Sequence, residues 1–177
     1  MVRSKGRPVD TDDRYGYYKY GEIRERAFVK MMKKQGYNVN INPKKKHDNT
    51  AVDLVWDNDL VELKSRQGPF FLANKYGITI DPNFAVPINK KDIVRYRDVL
   101  KLGSDFEIAI WADWPAETRY GVSVDGTKGV WMTTLGHLIT KIEEGAPDHE
   151  YKRRKGDSRI NAKDSYYFDL REMEQIL

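Results

Sequence analysis

The chain contains no cysteine among its 177 residues, which excludes disulfides and thiolate metal sites. That absence leaves the compartment open, and a cytoplasmic location is compatible with it. No apolar run approaches the roughly 20 residues that a membrane span needs. The N-terminus, Met1 to Arg7, runs into polar residues rather than an apolar stretch, so it does not read as a secretory signal. Internal repeats and low-complexity tracts are also missing. Histidines occur only at His47, His137 and His149, too scattered for a zinc site. Nor is the charge one-sided. Thirty-one Lys and Arg against 27 Asp and Glu leave a net charge of +4, which fits a nucleic-acid partner without requiring one.

What is present is a chain long enough for one sizeable core, with 40% apolar and 33% charged residues. Residues 1–18 lack hydrophobic periodicity and read as a flexible basic arm. From about Lys19 to Gln35, the residues Ile23, Ala27, Phe28, Met31 and Met32 recur at helical spacing, with Gly36 as the stop. Tyr37 to Ile41 alternates as a strand that Pro43 ends. The stretch from Arg66 to Asn89, rich in Gly, Pro and aromatics, reads as an irregular packed loop. A second helix is predicted from Asn89 to about Lys101, with Ile93, Tyr96, Val99 and Leu100 inward. Phe106 to Ala112 is a buried strand. Farther on, two short strands (119–124 and 129–132) around an Asp125-Gly126 turn, a helix from about Thr134 to Glu144, a polar basic segment from Glu150 to Arg159, a strand at 165–169 and a short C-terminal helix are expected. The four tryptophans, Trp56, Trp111, Trp114 and Trp131, read as core or edge packing.

Between the first strand and Arg66 lies a hairpin that carries chemistry. Asp53 sits in one apolar run, Asp57-Asn58-Asp59 forms a short turn, and Glu62-Leu63-Lys64 sits in a second run. Residues two apart on a strand share a face, so Glu62 and Lys64 point the same way, and the turn can bring Asp53 beside them. Surface ion pairs would explain such charges on a solvated strand. Here Val52, Leu54, Val55, Leu60, Val61 and Leu63 make both strands look central, where uncompensated charge is costly. Two carboxylates suit a hard divalent cation, and the ammonium can offset charge on a phosphate or orient a water.

The pattern Asp-(x)8-Glu-x-Lys, inside an α-β-β-β-α-β order from Lys19 to Ala112, resembles the PD-(D/E)xK nuclease superfamily. Gly21, Glu25, Arg26, Gly36 and Tyr37 stand in a register similar to the opening of archaeal-type Holliday junction resolvases, and Val61 to Arg66 is similar to their third-strand motif. Val52 stands where the superfamily often has proline, the loop after Arg66 is longer than in a minimal resolvase, and nothing after Trp114 is covered.

The resemblance implies an α/β fold with a restriction-endonuclease-like core at 19–112, a central mixed sheet flanked by helices, and an α+β extension at 113–177. It implies a Mg2+-dependent DNA endonuclease, with Mn2+ as a substitute, in which Asp53, Glu62 and the Leu63 carbonyl hold the metal. Glu25 completes the site, with Glu22 as the fallback, and Lys64 serves the attacking water and the charged phosphate. Branched or duplex DNA and a homodimer follow by the same analogy. Lys44, Lys45 and Lys46, next to the hairpin, and Arg66 and Gln67, directly after it, are the expected DNA contacts. A restriction-type or phage recombination nuclease is the alternative within the class. A non-catalytic nucleic-acid-binding module is the alternative outside it.

Overall fold

The structure is a computed structural model that describes residues 14–48, 50–101, 103, 106–151 and 164–177, with only the backbone over 14–18. The first helix, α1, spans Arg14–Lys34 and so begins within the expected arm, whose first 13 residues lie outside the description. It is followed by β1 (Val39–Ile41), a single 3-10 turn (Pro43–Lys46), β2 (Leu54–Trp56) and β3 (Asp59–Arg66). The chain continues through β4 (Ala85–Asn89), α2 (Lys90–Lys101), β5 (Glu107–Arg119), β6 (Val122–Thr134) and α3 (Leu135–Glu143). It closes with β7 (Asp148–His149), β8 (Ser165–Asp169), a 3-10 turn at Leu170–Glu172 in place of the expected helix, and β9 (Glu174–Gln175). Most of the basic segment expected at 150–159 lies outside the described residues.

These elements make a mixed α/β fold around a six-stranded sheet of order β1-β2-β3-β5-β6-β9. The first three strands are antiparallel. β3 then pairs in parallel with β5, and α2 lies in the crossover between them. The β2–β3 turn closes on Asp57 and Asn58, both at positive φ (50° and 85°), as a two-residue hairpin turn requires. Trp56 therefore pairs with Asp59 and Leu54 with Val61.

Each face of the sheet carries its own core. On one, Phe28 and Met32 of α1 pack on Val39, Leu54, Trp56, Val61 and Leu63. Ile23 and Ala27, expected on that inner face, are exposed, Ile23 at 55%. On the other face, Ile93 and Tyr96 of α2 and Leu135 and Leu138 of α3 pack on Ile108, Ile110 and Trp114. A three-stranded sheet, β4-β8-β7, shares this second core through Val86, Ile88 and Phe168.

Two further expectations are corrected. The loop from Arg66 to Asn89 contains β4, which pairs Pro87 with Tyr167. β4 is an edge strand, where a residue without an N–H is tolerated. The two short strands expected at 119–132 are one long strand, with the turn at Tyr120-Gly121 (φ 53° and 76°) rather than at Asp125-Gly126. Trp56, Trp114 and Trp131 are buried, as core packing requires.

Candidate active site

Alternation along β3 sends Val61 and Leu63 to the α1 face and Glu62 and Lys64 to the α2 face. The hairpin register pairs Leu54 with Val61, so the next position along places Asp53 across from Glu62. Asp53, however, lies just beyond the end of β2. Its carboxylate turns to the strand edge, where Oδ2 accepts the backbone N–H of Leu63 at 3.0 Å. The charged residues of the hairpin consequently fall into two groups, one on each side of β3.

The first group is Glu25, Lys45 and Asp53. The Lys45 ammonium donates to Glu25 Oε1 at 2.8 Å and to Asp53 Oδ1, standing between the two carboxylates. Asn42 arranges this geometry. Its buried amide donates to the Val52 carbonyl (2.9 Å) while its oxygen caps the Pro43–Lys46 turn at the Lys44 N–H (3.1 Å). The loop that delivers Lys45 is thus tied to the segment that delivers Asp53. Glu22 lies on the exposed side of α1, 3.8 Å from Arg26, so Glu25 is the helical carboxylate at this site. Burial and the neighbouring Asp53 push the Glu25 carboxyl up to about 7, and Lys45 offsets this only in part. Burial also works against the Lys45 charge, but its bonds to both carboxylates outweigh that and raise its pKa.

The second group is Glu62, Lys64, Asp92, Arg95 and Tyr96. Glu62 is only 4% exposed, and its Oε1 accepts from the Tyr96 hydroxyl (2.7 Å), Lys64 (3.0 Å) and Arg95 (3.1 Å). Lys64 also donates to Asp92 at 3.0 Å. Burial disfavours the Lys64 cation, yet Glu62, Tyr96 and Asp92 together hold its pKa above the ordinary value. The other oxygen of Glu62, Oε2, is buried with no hydrogen-bond partner, an expensive state for a carboxylate.

Of the expected metal ligands, the structure brings Asp53 to Glu25 and to the backbone of Leu63, whereas the Glu62 carboxylate is held on the α2 face by its own cations. Among the described residues, no three His, Asp or Glu side chains are gathered closely enough to hold a metal ion. The donors are nonetheless of the hard oxygen kind that Mg2+ takes. One of them is orphaned, and an ammonium already stands where positive charge is wanted between two others.

Of the expected DNA contacts, Lys44 and Lys46 are exposed while Lys45 is committed to the carboxylates. Arg66 donates through Nη2 to the Pro87 carbonyl at 2.6 Å, tying the large sheet to β4, and Gln67 accepts from the Tyr20 hydroxyl. Asn42, Asp92 and Arg95 were not singled out from the sequence. Asp92, Arg95 and Tyr96 stand at i, i+3 and i+4 of one helix, a spacing that puts them on one face. Asn42-Pro43 is a turn-initiating pair whose asparagine can cap the turn that Pro43 opens.

No helix among the described residues is long and apolar enough to cross a membrane. No protein-family model matches the sequence, and neither a curated protein nor a solved structure is significantly similar to it.

Proposed function

We propose that this chain is a Mg2+-dependent endodeoxyribonuclease of the PD-(D/E)xK class, with a branched DNA junction as its first-choice substrate. The observation that carries this reading is the hydrogen bond from the Leu63 N–H to Asp53. It fixes one acidic residue against the strand position between Glu62 and Lys64. The two backbone groups of a strand residue leave on the same edge, so the Leu63 carbonyl is turned to the side where Asp53 sits. The order α1-β1-β2-β3-β4-α2-β5, in which β4 joins the smaller sheet and β3 and β5 are parallel, supports a restriction-endonuclease-like core.

In this reading Asp53, Glu25 and the Leu63 carbonyl would hold the cation at the strand edge, and Glu62, whose Oε2 is orphaned on the α2 face, would turn from its own cations to join them. When bound, Mg2+ supplies Lewis-acid stabilisation of the phosphate and acidifies a water. Lys64, kept charged by Glu62 and Asp92, offsets negative charge on the phosphate and orients the attacking water rather than removing its proton. Lys45 bridges the two carboxylates of the first group, at the position between them that a bound cation would occupy. The exposed Lys44 and Lys46 flank the site for contact with the DNA backbone. By the same analogy the protein works as a homodimer, in the cytoplasm with the DNA.

The elements beyond the minimal core favour a second substrate reading. The long β5–β6 hairpin and the β4-β8-β7 sheet are additions of the kind that a nuclease acting on a particular duplex would use.

The test is cleavage of a labelled panel: four-way junction, flap, linear duplex, supercoiled plasmid, single-stranded DNA and RNA. Each substrate is run with Mg2+, Mn2+ or EDTA, by the wild type, Asp53→Ala and Lys64→Ala. Metal-dependent cutting of the junction, lost in both variants while each remains folded, is the expected result. Cutting of duplex alone selects the second substrate. No metal-dependent cutting of any substrate by folded wild type leaves a non-catalytic nucleic-acid-binding module.

A further inference from the structure

Beside Glu25, between α1 and the end of β3, lies a groove of about 340 Å3 lined by Tyr20, Gly21, Arg24, Glu25, Ser65 and Gln67. Two cations line it: Arg66, which is tied to the Pro87 carbonyl, and Arg24. The Arg24 guanidinium Nε donates to Ser65 Oγ at 2.9 Å, and its plane stacks on the Trp111 ring, 3.7 Å from the ring centroid. One face is therefore taken by an aromatic ring, and one edge nitrogen by a hydroxyl. Of its two other nitrogens, Nη2 is buried with no hydrogen-bond partner; Asp113 attracts the guanidinium from a distance, but no carboxylate among the described residues forms an ion pair with it. Glu25, the one acid lining the groove, gives its Oε1 to Lys45.

A buried guanidinium nitrogen without an acceptor is costly, so this arrangement asks for an anion. What is left of Arg24 is an in-plane N–H edge, the geometry that matches phosphate or carboxylate oxygens. A hydroxyl (Ser65) and an amide (Gln67) beside it are neutral hydrogen-bonding groups of the type that contact phosphates in nucleic-acid complexes. Gly21, one turn before Arg24 on α1, lines the groove without a side chain, and a Cβ built there meets nothing within 4 Å.

We propose that this groove is a phosphate-binding subsite in which Arg24 engages a backbone phosphate of the bound nucleic-acid strand, next to the one at the reaction centre. The inference rests on the nuclease reading for the identity of the strand, and on the groove alone for the phosphate. Arg24 is a binding and positioning residue here. Trp111 and Ser65 orient it, and Tyr20, hydrogen-bonded to Gln67, joins the two walls.

Two measurements on the full chain in EDTA, where no cleavage occurs, test the proposal. In the first, the Arg24 side-chain Nε–H resonance, assigned by its loss in Arg24→Lys, is followed by NMR during titration with thymidine 3′,5′-bisphosphate. A saturable shift is expected, and an unmoved resonance at millimolar probe overturns the subsite. In the second, binding of a labelled DNA oligonucleotide is compared among the wild type, Arg24→Lys, Gly21→Leu and the exposed-charge control Lys101→Gln.

Arg24→Lys keeps the charge but loses the fork, and affinity should fall about tenfold. Gly21→Leu should weaken binding similarly by filling the groove, yet raise or preserve the melting temperature, because glycine is a poor helix former. That separates obstruction from unfolding. Lys101→Gln should stay within about twofold. Equal affinity in all four proteins overturns the subsite even when metal-dependent cleavage is intact, so the nuclease reading survives alone. A shifted Arg24 resonance in a protein that cuts nothing supports the subsite and removes the nuclease reading.

Discussion

Two charged clusters flank β3, and they are balanced differently. On the α2 side, Glu62 and Asp92 face Lys64 and Arg95, with a tyrosine hydroxyl added, so carboxylates and cations are equal in number. On the α1 side, Glu25 and Asp53 share a single lysine. The first cluster has neutralised itself as a buried network must. The second has not, and the Glu25 carboxyl is pushed up to about 7 by burial first and then by Asp53, with Lys45 offsetting only part of it. A site that is short of positive charge and made of oxygen donors has room for a cation, whereas the charge-balanced cluster leaves only Glu62 Oε2 without a partner. This difference places the cation end of the proposed site at Glu25 and Asp53, and gives Lys64 a fixed, charged position beside it.

Breaking the balanced cluster should have the largest effect. Lys64→Met leaves the buried Glu62 and the half-buried Asp92 with one arginine, and stability should drop by about 3 kcal/mol in urea denaturation. The unbalanced cluster should respond in the opposite sense. A carboxyl whose folded pKa lies above its unfolded one binds its proton more tightly when folded. It contributes stability that is present at pH below the ordinary 4.5 and lost as pH rises to about 7. In EDTA, Glu25→Gln should therefore gain on the wild type across that window, by up to about 3 kcal/mol, read from denaturation at several pH values.

Magnesium sharpens the contrast further. At a hundred times its dissociation constant it should stabilise the wild type by about 2.7 kcal/mol, and Asp53→Ala should show no such shift in its melting curve. The smallest effect is expected from Tyr96→Phe. It removes one of three donors to Glu62 Oε1 and should cost about 1.5 kcal/mol without changing the response to magnesium.

Local signals in the sequence located the hairpin well. Asp57-Asn58 is a turn pair that tolerates positive φ, and the apolar runs on either side set a register that a one-residue slip would turn inside out. The second helix, with Ile93 and Tyr96 inward, was equally legible. Long-range effects were not. Gly126 looked like a turn residue, but it sits within β6, where a Cβ would come 2.7 Å from the Ala116 nitrogen. The glycine serves close strand approach, while the actual turn uses Tyr120-Gly121. β4 was hidden because its partner β8 lies far along the chain and Pro87 looks like a breaker.

At the site, Glu25, Asp53, Glu62 and Lys64 were visible as residues, but their division between two faces was not. It depends on Asp53 stopping short of β2 and on Lys45 turning inward from a loop that reads as solvated. The acceptor that α2 presents to Lys64 (Asp92) and the donors it presents to Glu62 (Arg95 and Tyr96) follow from the crossover packing, which no local pattern specifies.

The most direct test of the claim that Lys45 stands in for a divalent cation is a Mn2+ titration followed by electron paramagnetic resonance. It compares the wild type, Lys45→Met and Asp53→Ala. Saturable binding by the wild type is expected, tightened about tenfold in Lys45→Met by roughly 1.4 kcal/mol of relieved like-charge repulsion, and absent in Asp53→Ala. The same Mn2+ affinity in all three folded proteins would contradict the account.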